Sequence, residues 1–142
     1  MGRARLRPAA PSDLELSLGR KAVILAHQKL AIALIALGLA GTVWGLWGWR
    51  RNGAIAPGLR AFLLLCEAVV LIEDLFGLVL LAQGYRPHNL GFHLMYGAIS
   101  ALVIPVVWIL SSRSSAKSEA LYMSLGALLF AGVTFRALAV AG

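Results

Sequence analysis

Four apolar runs dominate the pattern of hydrophobic and polar positions, at about residues 22–48, 59–83, 90–110 and 119–140. Each is long enough for a helix to cross the hydrocarbon core of a bilayer, which takes about 20 residues. Polar punctuation separates them. Trp47-Gly48-Trp49-Arg50-Arg51-Asn52-Gly53 closes the first run with an aromatic and basic belt, and Pro57-Gly58 precedes the second. Gly84-Tyr85-Arg86-Pro87-His88-Asn89 makes a tight connection to the third. A Ser-rich loop, 111–118, follows it, and Ser118-Glu119 is suited to cap the fourth. No alternating pattern supports strands, and an open sheet leaves its backbone unsatisfied in lipid. Short connections force neighbouring spans to run antiparallel. The expected fold is therefore an all-α integral membrane protein, an up-down bundle of four transmembrane helices. Residues 1–21 form a basic tail expected to lie along the interface, and 22–142 the four-span domain.

Composition agrees with this pattern. Sixty per cent of the 142 residues are hydrophobic, 13% are charged and the mean hydropathy is +0.82, whereas soluble domains hold about a quarter charged residues. The formal net charge of +7 would raise nucleic-acid binding in a soluble protein. Here the cations cluster in the tail, in the connections and near span ends, at headgroup height, so the expected partner is the lipid bilayer and not nucleic acid. Let side A be the end of the bundle that carries both termini. Its tail and loops hold six basic residues, with Lys29 and Arg136 nearby, against five at side B. That bias predicts a cytoplasmic side A in a bacterial inner or cell membrane. The run from Ala22 to about Trp49 is too long for the apolar region of a secretory signal. Leu6 stands where a myristoylation signal needs Ser or Thr.

Titratable residues inside spans are costly, so each needs a partner or a purpose. They are His27, Lys29, Glu67, Glu73, Asp74, His93 and Arg136. At about 1.5 Å per residue, His27 and His93 both fall roughly 5–8 Å below side A. Spans one and three lie diagonally in a sequential bundle, so inward-pointing side chains at one depth meet across the core. Two imidazoles on facing helices can take opposite axial positions on a haem or another tetrapyrrole. Small residues continue both faces: Ala31, Gly38, Gly41 and Gly45 after His27, and Gly97 and Ser100 after His93. Such stripes also serve plain helix packing, and for the glycines alone packing is the stronger reading. Tyr96, three residues after His93, is placed to hydrogen-bond a propionate or a quinone carbonyl, or else is an interfacial aromatic. His88 lies in a loop, and its five-residue spacing from His93 argues against a three-histidine zinc site.

Glu67 and Asp74 share a face of span two, and Glu73 points about 100° away. Arg136, close in depth, is expected to pair with Asp74 or Glu73, either neutralising buried charge or orienting haem propionates. Glu67 is left for protonation or for another subunit. The lone Cys66 allows neither an internal disulfide nor a cysteine-rich metal site. Phosphate-binding glycine loops, serine-nucleophile motifs and Cys-x-x-Cys are all missing, so the chain is not expected to act as an enzyme on its own.

The four-span layout, with a histidine early in span one and His93-Leu94-Met95-Tyr96-Gly97 in span three, resembles small b-type cytochrome membrane subunits. Two in-span histidines suffice for one haem, unlike the di-haem class. The resemblance implies a redox subunit binding one haem b through His27 and His93, with Tyr96 and Arg136 in support, linked to quinone electron transfer. The competing reading is a non-catalytic accessory subunit of a larger respiratory or photosynthetic complex, its polar residues and Trp-rich faces meeting other membrane subunits. A proton-linked carrier using Glu67, Glu73 and Asp74 is a third.

Overall fold

The computed structural model describes residues 13–52 and 55–141, which form four helices: α1 (Asp13–Asn52), α2 (Pro57–Ala82), α3 (Leu90–Ser111) and α4 (Ala116–Ala139). All four apolar runs are helical. Three helices have the length and apolar composition to cross a membrane: α1 through Leu16–Arg51, then α3 and α4. The fourth, α2, has the length at 26 residues, but it carries Arg60, Glu67, Glu73 and Asp74. The tail proposed to lie at the interface falls largely outside the described residues. Its last part, from Asp13, belongs to α1.

Local sequence explains where the helices stop. Pro57 opens α2 at a position where its missing N–H is no loss. At the other end Gly84 adopts φ +83°, the left-handed turn that only glycine takes at no steric cost. The N–H of Gly84 donates to Leu81 O and that of Tyr85 to Leu80 O, closing the helix in a Schellman motif. The following loop is fastened to the end of α4, His88 N–H donating to Ala141 O and Asn89 N–H to Val140 O. Ser115 caps α4, its hydroxyl accepting from Ser118 N–H. The cap thus sits one turn earlier than the expected Ser118-Glu119, because the chain already turns helical at Ala116.

The helices form a sequential ring. Contacts are richest between α1 and α4 and between α3 and α4, fewer between α1 and α2, and sparse between α2 and α3. His27 lies beside Gly77 and Gly45 beside Leu59, so α1 and α2 run antiparallel. Glycines set the closest approaches. A Cβ on Gly38 would stand 2.9 Å from Ala131 Cβ and 3.1 Å from Ala127 O, and one on Gly126 would stand 2.8 Å from a methyl of Val107. Small residues of this kind let helix backbones pack closely where lipid supplies no hydrophobic drive. Leu34, Leu63, Cys66, Val70, Ile104, Met123 and Phe130 fill the centre. Buried hydroxyls return to their own helices, Thr42 to Gly38 O, Ser124 to Ala120 O and Thr134 to Phe130 O, so no hydroxyl among them lacks an acceptor.

α1 is much the longest element. At about 1.5 Å per residue, its first ten residues extend about 15 Å, and Leu16 to Ala22 are exposed throughout. They project past the bundle at side A. Gly38→Val is expected to destabilise the bundle by about 1–3 kcal/mol through overpacking of the α1–α4 seam. Gly132→Ala, where a Cβ meets only open space, is expected to stay within about 0.5 kcal/mol of the parent. Reversible unfolding in mixed detergent micelles measures both.

Candidate functional site

Side A of the bundle holds a cavity of about 380 Å³ between all four helices. α1 contributes Ile24, His27, Gln28 and Ala31, and α2 contributes Glu73, Asp74 and Gly77. From α3 come His93, Gly97 and Ser100, and from α4 Thr134 and Ala137. On α1 and α3 these positions follow the three- and four-residue spacing of one helical face. The expected convergence of the histidines is present: the two rings, on diagonal helices, meet nearly perpendicular with centroids 6.0 Å apart and planes at 78°.

Main-chain carbonyls hold both rings. His93 Nδ1 lies 3.0 Å from Ala137 O and His27 Nδ1 3.2 Å from Glu73 O. A carbonyl oxygen only accepts, so each Nδ1 carries the hydrogen and each Nε2 keeps its lone pair. The Glu73 carboxyl also approaches His27 Nδ1, with Oε1 at 3.1 Å. The adjacent Asp74 points to the other neighbour, where its Oδ1 lies 3.2 Å from the place a Gly97 Cβ would take. One step of about 100° along α2 thus presents one acid toward α1 and the next toward α3. Glycines make room here as well: a Cβ on Gly77 would stand 3.2 Å from His27 Cε1. Ser100 and Thr134 direct their hydroxyls to Gly97 O and Phe130 O, back into their own helices.

The remaining expected residues lie apart. Arg136 forms no ion pair with Asp74 or Glu73; it is exposed and stands 5.9 Å from the centre of the Tyr96 ring. Its depth agrees with theirs, but its direction does not. The inward face of α4 runs through Phe130, Thr134 and Ala137, and Arg136, about 200° from Thr134, falls on the outside. Tyr96 likewise does not line the cavity: it stacks on Phe92 and lies against α4, on the flank of α3 turned from α2. Glu67 sits deeper on α2, away from the cavity, with Oε2 buried and without a hydrogen-bond partner. The charge network expected of Glu67, Glu73, Asp74 and Arg136 therefore reduces to the two adjacent acids beside the histidines. His88 is exposed in its loop, and no three His, Cys, Asp or Glu side chains gather as a metal-binding group among the described residues.

The sequence reading missed several lining groups. Gly77, four residues after Glu73, was signalled by helical spacing. The carbonyls of Glu73 and Ala137 carry no signal, since every residue has one. Comparison with protein-family models, curated proteins and solved structures finds no match.

A double-mutant cycle of Arg136→Gln with Tyr96→Leu is expected to show a coupling of about 0.5–1 kcal/mol, as for an exposed cation–π pair. Arg136→Gln and Asp74→Asn are expected to be additive. Coupling between Arg136 and Asp74 above that of Arg136 with Tyr96 would place the guanidinium inside the bundle.

Proposed function

We propose that this chain is a membrane-embedded redox subunit that binds one b-type haem, or a related tetrapyrrole, in the side A cavity, where His27 and His93 would hold it. The observation that carries this reading is the pair of converging imidazoles, each with Nδ1 held by a carbonyl and Nε2 left as a free electron pair. Two imidazoles that would hold one iron between them need to stand close, at about 6 Å between ring centres. The separation of 6.0 Å fits that requirement. A bare metal ion asks for three or four protein ligands. A macrocyclic cofactor asks for two, and the cavity offers two imidazoles.

Haem, when bound, supplies reversible one-electron transfer. The chain's own contributions are positional. The carbonyls of Glu73 and Ala137 fix tautomer and ring orientation, as outer-shell partners of ligating histidines commonly do. Gly77, Gly97 and Ala31 keep the walls thin. Leu78, Leu94 and Ala98 line the cavity while exposed on the outer surface of α2 and α3, the sparsely packed seam. That flank gives a lipid-soluble electron partner, such as a quinone, its closest approach.

Membrane placement with four spans supports the same reading. The outward face of α2 is apolar, with Leu64, Leu65, Leu71, Ile72, Leu75 and Leu78 exposed, while Glu73 is buried at 9% exposure. Acids turned inward allow α2 to cross beside the other three. The small excess of basic residues at side A supports a cytoplasmic side A in a bacterial membrane. The accessory-subunit reading rests on a different surface, the apolar groove of α1 formed by Leu39, Ala40, Val43, Trp44 and Trp47. It lies away from the cavity, so a haem subunit can also be a member of a larger complex.

In mild detergent, the purified protein is expected to give a reduced-minus-oxidised spectrum with the sharp α-band of a low-spin b haem, at about one haem per chain. His27→Ala and His93→Ala are each expected to abolish it with helix content unchanged. A band retained in both variants would exclude this ligand pair. A colourless protein that co-purifies with defined membrane partners would leave the accessory role.

A further inference from the structure

We propose that side B of the bundle binds the headgroups of anionic phospholipids. The inference rests on the membrane placement above and on no cofactor. Between Trp47 and Arg60, and again between Ser111 and Glu119, the chain carries five cations and a single carboxylate. That carboxylate is taken: Glu119, on α4, is ion-paired with Arg60, on α2. Arg50, Arg51, Arg113 and Lys117 are exposed and have no ion-pair partner among the described residues.

Two of the four are held by aromatic rings. The Arg51 guanidinium lies 5.7 Å from the centre of the Trp47 ring, and the Lys117 ammonium 5.9 Å from that of Trp49. Indoles at the ends of spans settle at headgroup height. Their faces attract cations, so these two charges are kept at the level of lipid phosphates and not extended into water. The contact between Lys117 and Trp49 joins α4 to α1, and the pair of Arg60 with Glu119 joins α2 to α4. Charges from three helices and the α3–α4 loop are thereby gathered on one end of a narrow bundle. Their mutual repulsion is relieved by anions, and in a bilayer the anions at that height are lipid headgroups.

The test uses the full chain in nanodiscs of mixed phosphatidylglycerol and phosphatidylcholine. Lipids retained after transfer to detergent are counted by native mass spectrometry. A cation at an anionic surface is worth about fivefold in partition, so phosphatidylglycerol is expected to be enriched about tenfold or more, and enrichment should fall as salt rises. Arg50→Gln, Arg113→Gln and Lys117→Gln combined are expected to cut it to the level that the side A cations sustain. The charge-keeping combination Arg50→Lys, Arg113→Lys and Lys117→Arg should retain it, which separates lost charge from lost fold. Arg20→Gln with Lys21→Gln, at side A, should lower it less than the three side B substitutions do. No preference in the parent chain, or the same preference after the three Gln substitutions, would overturn the proposal. So would displacement of the lipid by millimolar inorganic phosphate, which would make side B a site for free phosphate.

Discussion

The close approach of α4 to its two neighbours governs the rest of the bundle. Gly38 on α1 meets Ala131 and Ala127, and Gly126 on α4 receives Val107 of α3. Both contacts tolerate no added methyl without movement. α4 is thereby clamped between the two helices that carry the histidines, and the distance between α1 and α3 across the diagonal follows from it. α2 completes the ring with fewer contacts, sparsest toward α3. The cavity occupies the side A half of the bundle, beyond the apolar centre of Leu34, Cys66, Val70 and Phe130.

α2 reconciles two demands on one helix. On its exposed face it shows leucine, isoleucine and valine; toward its neighbours it shows Cys66, Val70, Glu73 and Gly77. Glu73 stands beside an imidazole and Asp74 beside the backbone of α3, while Glu67 lies deeper on the helix, apart from both. This arrangement also explains why composition alone sets α2 apart from the other three: charges are counted along the helix, but their cost depends on the direction they face.

Much of this was legible in the residues. Lipid demands long uninterrupted apolarity, so the four runs and their punctuation marked the helices to within a few residues, except at the start of α1. The fixed rise per residue made the common depth of His27 and His93 a matter of counting. Depth was not sufficient for Arg136, which shares a level with the acids but lies on the outer face of α4. Direction around a helix depends on which of its faces is inward, and the weakly amphipathic α4, with Ala, Gly and Ser on its buried side and Leu on its exposed one, hides that choice. The glycines of the two stripes divided between packing and cavity: Gly38 packs against α4, whereas Gly97 borders the cavity. The carbonyls that orient the imidazoles belong to the main chain, where no residue type announces them.

The cavity has a chemical bias that follows from its hydrogen bonds. Ser100 and Thr134 already give their hydrogens to their own helices, and each imidazole gives its one hydrogen to a main-chain carbonyl. What these four side chains turn toward an occupant is therefore lone pairs. A guest that seeks hydrogens, such as a small anion or a bare carbonyl group, meets little welcome from them. An electron-pair acceptor meets two imidazoles whose tautomer the carbonyls fix, while hydrogens for a guest are left to other lining groups such as Gln28 and Tyr85.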